Sequence, residues 1–225
     1  QKKDLSKVKI MWVNYPHMPT GTPAKLEIFE KAIAFAKKNG ILLCHDNPYS
    51  LVLNLNKPVS ILSIPGAKEV CVELNSLSKS HNMAGWRVGM LCGAREYVST
   101  ALRVKSNIDS GMYRGIQDAA IAALGEEDEW HAMRNEEYQS RKVLIYKILD
   151  KLDCTYSTNQ EGLFVWAKPN NPDVVEDIPA FIDKLLEEKN IFITPGSIFG
   201  SNGEGFIRLS LCVNQTNIQK ALDRL

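Results

Sequence analysis

Ile41-Leu42-Leu43-Cys44-His45-Asp46-Asn47-Pro48-Tyr49 runs from four apolar residues straight into polar ones and a proline. A short, unbroken apolar run closed in this way predicts a strand buried on both faces that stops at a loop. The residues before it predict a helix. Thr22-Pro23 supplies an N-cap and a first-turn proline, Leu26, Phe29, Ala32, Ile33 and Ala36 recur at helical spacing, and Asn39-Gly40 closes the element. Further upstream, Val8-Lys9-Ile10-Met11-Trp12-Val13 predicts another strand, ending at Asn14-Tyr15-Pro16. Downstream, Glu69-Val70-Cys71-Val72-Glu73-Leu74 and Val88-Gly89-Met90-Leu91-Cys92-Gly93 predict a third and a fourth. Apolar strands joined by a helix of this length imply an α/β fold with a mainly parallel sheet covered on both faces.

From Arg95 the periodicity turns helical, with helices predicted over 97–108, 113–124 and 127–152. A smaller α+β unit follows: strand 163–167, helix 178–188, strands 191–194 and 205–212, and helix 217–225. The long helix is the natural divider. The expected domains are therefore 1–125, part of a large domain, and 126–225, a small C-terminal domain.

The 225 residues carry a net charge of +1, so nothing points to a nucleic-acid backbone or an acidic membrane surface as partner. No apolar run approaches the roughly 20 residues needed to span a bilayer. Gln1-Lys2-Lys3-Asp4-Leu5 lacks the apolar stretch of a signal peptide, and a chain that opens on glutamine reads as part of a longer protein. Cys44, Cys71, Cys92, Cys154 and Cys212 are odd in number and form no CxxC pair. That predicts neither disulfides nor a zinc site, favours a reducing, cytoplasmic setting, and casts Cys44, Cys71 and Cys92 as buried structural thiols.

Ligands of parallel α/β sheets bind outside the carboxyl ends of the strands. Three such ends carry polar groups here: 14–21, 46–49 and 75–79. Lys79, among Ser76, Ser78 and Ser80, is a nucleophile or base if partly desolvated, and otherwise a solvated loop lysine. Arg87 with Ser76 would clamp a phosphate, or Arg87 would simply pack beside Trp86. Asp46 either caps the turn at Asn47-Pro48 or pairs with a protonated heterocyclic nitrogen. Tyr49 hydrogen-bonds a ligand oxygen or fills space. Arg208, inside an apolar strand, needs a counter-ion, either an internal carboxylate or that of a substrate.

Ser76-Leu77-Ser78-Lys79 followed by Gly85-Trp86-Arg87-Val88-Gly89 resembles the lysine signature of the class I/II pyridoxal-phosphate-dependent aminotransferases, fold type I. The remaining matches come in that family's order: Pro19-Thr20-Gly21, Asp46 with Tyr49, Lys79, Arg87, Ser110-Gly111, Pro195-Gly196 with Phe199-Gly200, and Arg208. Asn14-Tyr15-Pro16 is similar to the aspartate and LL-diaminopimelate aminotransferase-like branches. The resemblance implies a homodimer using pyridoxal 5'-phosphate to move an amino group between an α-amino acid and a 2-oxo acid. It implies that Lys79 forms the Schiff base and shuttles the substrate proton. Asp46 then pairs with the pyridinium nitrogen, Tyr49 with the phenolic oxygen, Ser76 and Arg87 with the phosphate, and Arg208 with the substrate carboxylate.

The chain departs from the pattern at Met18, where the family has an asparagine that contacts the phenolic oxygen and the substrate carboxylate. Losing such a charge-assisted bond costs about 1.5–3 kcal/mol unless His17 replaces it. Members are also nearly twice as long, so this sequence reads as the C-terminal part of the large domain plus the small domain. Two other readings remain open at this stage: an eliminating enzyme such as a carbon–sulfur lyase on the same scaffold, and a non-catalytic sensor or binding module.

Overall fold

The computed structural model describes residues 4–225; the signal-peptide reading of Gln1, Lys2 and Lys3 lies outside the described residues. The chain forms two compact units. One takes the chain as far as Pro16 together with Ala24–Asp128, and the other takes His17–Pro23 together with Glu129–Leu225.

The first unit is built on a four-stranded sheet in chain order: β1 (Ile10–Asn14), β2 (Leu42–Asp46), β3 (Cys71–Ser76) and β4 (Gly89–Gly93). β1, β2 and β3 run parallel, while β4 runs antiparallel to β3. The reversal follows from the connection. Residues 77–88 hold only α2 (Leu77–Ser80) and a 3-10 turn at Ala84–Trp86, too little chain for a covering crossover helix. α1 (Leu26–Asn39) does make such a crossover between β1 and β2. Its apolar stripe, Phe29, Ile33 and Ala36, packs with Leu43, Ile61, Ile64, Ala67 and Cys71 into the core of this unit.

The helix ends as the sequence predicts, with Gly40 left-handed at φ 61° and its N–H bonded to the carbonyls of Ala36 and Lys37. Its start differs. Lys25 occupies the N-cap position without a side-chain cap, and Thr22 and Pro23 remain outside the helix. The expected cover on both faces is also incomplete: Ile10 and Trp12 on β1 and Met90 on β4 are exposed. Cys92 is a correction of the same kind. It lies on β4 at the end of the sheet order, and its thiol is exposed, whereas Cys44 and Cys71 are buried. α3 (Arg95–Ile108) and α4 (Arg114–Leu124) complete this unit.

In the second unit, α5 (Asp128–Lys151) precedes an antiparallel sheet of order β5-β6-β8-β7. Its strands are β5 (Cys154–Tyr156), β6 (Phe164–Pro169), β7 (Thr194–Pro195) and β8 (Ile207–Ser210). α6 (Pro172–Glu176) and α7 (Ile178–Lys189) connect β6 to β7, and α8 (Gln215–Arg224) ends the chain. β5 and α6 are not predicted by the sequence patterns, being too short to show a period. On β6 and β8, Val165, Ala167, Ile207 and Leu209 are buried while their alternating neighbours Phe164, Trp166, Arg208 and Ser210 are less so. Period-two alternation therefore leaves one face of this sheet less buried than the other. Among the described residues no helix is long and apolar enough to cross a membrane.

Candidate active site

The parallel strands of the first unit end side by side. Asn14 is in register with Asp46, Asp46 with Leu74, and Ser76 with Gly89. Counting by twos puts Asn14, Asp46 and Ser76 on one face of the sheet at its carboxyl edge. The Asn14 side-chain amide donates to the Asp46 carbonyl at 2.8 Å and ties the first two ends together. Asp46 is predicted at the end of a buried strand, yet its side chain reaches the surface, because the last residue of β2 faces the open edge. Partial burial still pushes its carboxyl pKa up, opposed by the neighbouring His45. Tyr49, just beyond, is buried.

Lys79 stands on α2, the single helical turn that leaves β3, and not in an irregular loop. Ser76 caps that turn: its hydroxyl accepts from Ser78 N–H at 3.1 Å and donates to the Val88 carbonyl at 3.4 Å. Leu77 N–H also donates to Val88, so the Arg87–Val88 segment lies against Ser76. The approach is tight; a Cβ at Gly89 would meet the Asn75 carbonyl at 2.8 Å. Arg87 itself is left-handed, with φ 55° and ψ 47°, an uncommon conformation for a bulky residue that the surrounding turn must impose. Its exposed guanidinium donates to the Ala84 carbonyl at 2.9 Å. Lys79 is half-buried, and among the described residues no hydrogen bond or ion pair holds its ammonium.

The strand ends and the segments that leave them thus carry an amine, a carboxylate, a phenol, a hydroxyl and a guanidinium. Groups of these kinds could hold a phosphorylated aldehyde with a basic ring nitrogen. Arg208 belongs to the second unit, on β8, in register with Trp166 and Thr194. His17, the candidate stand-in for the missing asparagine, has its Nδ1 2.7 Å from Thr20 Oγ1, and burial pushes its pKa down.

The family model for aminotransferase class I and II matches residues 1–225. The chain belongs to the class I and II aminotransferases. It is 43% identical over 221 residues to an LL-diaminopimelate aminotransferase of Gloeobacter violaceus, covering 97% of this chain and 56% of the relative. A second relative of that name, from Aquifex aeolicus, is 38% identical over the same shares. Among solved structures, substrate-bound BacF of Bacillus subtilis superposes with a TM-score of 0.90 at 35% identity, covering 99% of this chain and 57% of that one. A probable N-succinyldiaminopimelate aminotransferase from Thermus thermophilus gives 0.87 at 32%, with 97% and 58% covered. The chain therefore spans a little over half the length of the aminotransferases it matches.

Beneath the edge, on the opposite face, lies a buried polar cluster that the sequence reading missed. His45 Nδ1 is 3.2 Å from Glu73 Oε2 and its Nε2 is 3.0 Å from the Tyr15 carbonyl. Both neighbours are acceptors, so whichever ring nitrogen carries a proton donates to the one it faces. Glu73 also accepts from Ser60 Oγ and Ile61 N–H, each at 2.9 Å, and from Asn47 Nδ2 at 3.3 Å. Burial pushes the Glu73 carboxyl up, but bonds from His45, Ser60 and Asn47 outweigh it and leave its pKa below the ordinary value. The signal was a glutamate between the apolar residues Val72 and Leu74 of a buried strand, which must find partners.

Proposed function

We propose that the protein containing this chain is a pyridoxal-phosphate-dependent aminotransferase, moving the amino group of an α-amino acid to a 2-oxo acid. The observation that carries this reading is Lys79 on the turn leaving β3, with Ser76 as its cap and Asp46 on the same sheet edge. Lys79 Nζ would be the amine that holds the cofactor through its carbonyl carbon and, when free, the base that would carry the substrate Cα proton. Asp46 keeps the ring nitrogen protonated; pairing with that cation also relieves the cost of a partly desolvated carboxylate. Tyr49 donates to the phenolic oxygen, Ser76 and Arg87 grip the phosphate, and Arg208 takes the substrate carboxylate bidentately. When bound, pyridoxal phosphate supplies an electron-withdrawing ring that makes the Cα proton acidic.

The names of the relatives make LL-diaminopimelate the first amino donor to try. Exposed Ile108, Tyr113, Ile121 and Leu124 on and between α3 and α4 support association with more polypeptide, which we assign to the rest of the protein and a second copy in a homodimer. Five free cysteines support a reducing cytoplasm. The test is amino acid plus 2-oxoglutarate with the full-length protein. Glutamate formed in step with loss of the donor supports transamination, whereas a 2-oxo acid and ammonia without glutamate rejects it.

A further inference from the structure

Arg208 lies on the half-buried face of the small sheet, and its surroundings there are aromatic. Its guanidinium carbon lies 4.0 Å from the ring centroid of Phe164 and 4.6 Å from that of Phe199. Phe199 ends the 3-10 turn Gly196–Phe199, and this turn is pressed down onto the sheet. A Cβ at Gly196 would meet the Phe206 carbonyl and the Trp166 ring, each at 2.8 Å. Trp166 in turn meets Phe199 edge-on at 6.0 Å and stacks on Phe206 at 5.3 Å with an interplanar angle of 17°. Phe199 is therefore backed by Trp166, and Trp166 by Phe206, even though Phe199 is 41% exposed. Phe164 needs no such support because it stands on β6, the strand paired with β8.

We propose that Phe164 and Phe199 are positioning residues that hold the Arg208 guanidinium flat and so set the affinity for the substrate carboxylate. The proposal rests on reading Arg208 as the carboxylate grip. A guanidinium is weakly hydrated over its faces and donates all its hydrogen bonds in its plane. Rings against a face take the place of that loosely held water and restrain the plane in which the guanidinium donates. A carboxylate then meets a fork that is already oriented, and less freedom is lost on binding. The rings act through the arginine, so their effect falls on binding of the carboxylate, while the proton transfer is assigned to Lys79.

The test uses full-length protein and four variants: Phe164→Leu, Phe199→Leu, Phe199→Tyr and Arg208→Lys. Before any cofactor is added, the Arg208 Nε–H resonance is displaced by the ring currents. It moves toward its ordinary position in each leucine variant and stays displaced in F199Y. In the loaded enzyme, KM for both the amino acid and the 2-oxo acid rises about 3- to 30-fold in each leucine variant. kcat stays within a factor of two, and F199Y restores KM. Should the leucine variants leave KM unchanged while R208K raises it, Arg208 binds the carboxylate without help and the proposal is overturned. Should R208K itself leave KM unchanged, the reading of Arg208 falls, and the proposal with it.

Discussion

Glu73→Gln tests the buried cluster under the strand ends, because it changes charge while keeping shape. The wild-type carboxylate accepts four hydrogen bonds, three at Oε2 and one at Oε1. The best placement of a glutamine puts its oxygen at Oε2, facing His45, Ser60 and Ile61. Its NH2 group then points at the Asn47 Nδ2 donor, so one bond is lost and the attraction to His45 is weakened. A hydrogen bond to a charged group contributes about 1.5–3 kcal/mol, and that is the expected loss at pH 7. Glu73→Leu strands all four donors and costs roughly 3–5 kcal/mol, a large part of the 5–15 kcal/mol typical of a whole fold. The glutamine is therefore the variant to measure, by urea denaturation of the full-length protein with tryptophan fluorescence.

The pH dependence has a definite sign. The Glu73 pKa is lowered from 4.5 in the folded state, so its stabilisation is complete above that value and is lost as pH falls through the folded pKa. Glutamine has no such proton to gain. The gap between wild type and E73Q must narrow below pH 4.5. A gap under about 0.5 kcal/mol at pH 7, less than any hydrogen bond to a charged group contributes, refutes the reasoning. So does a gap that persists unchanged into acid.

Three other outcomes are expected. Borohydride treatment of cofactor-loaded full-length protein fixes the label on Lys79, read by peptide mass mapping; a label on any other lysine removes the central assignment. Gly21→Ala destabilises by about 1–3 kcal/mol in thermal or urea unfolding. Its Cβ would lie 2.8 Å from Gln160 Cβ and 3.0 Å from the Glu161 carbonyl, at a φ of +66° that side chains resist. Burial pushes the Cys71 thiol up to about 11 and the Cys154 thiol up to about 12. Neither reacts with a thiol reagent at pH 8 until the protein is unfolded, and rapid native labelling of either would contradict the buried placement.

The sequence was most legible where a feature rests on neighbours along the chain. Ser76, Lys79 and Arg87 fall within one short stretch, and the Asn39-Gly40 stop announced itself because a left-handed cap is a property of a few consecutive residues. The order of strands and the helix between the first two were readable for the same reason: apolar runs and helical spacing are local patterns. Pairing is not local. That His45 meets Glu73 follows from the register of β2 on β3, and neither residue's immediate surroundings name the other. The short turn after β3, and not any apolar run, made β4 antiparallel. The piece His17–Pro23 left the first unit because Glu161 N–H bonds to the Gly21 carbonyl across a long stretch of chain. Arg208 was marked by sequence as a cation needing company, but only the fold supplied the two rings. Residue type and spacing determined which chemistry the chain could carry. The tertiary structure decided which groups share a face, because that depends on register and on contacts between residues far apart in the chain.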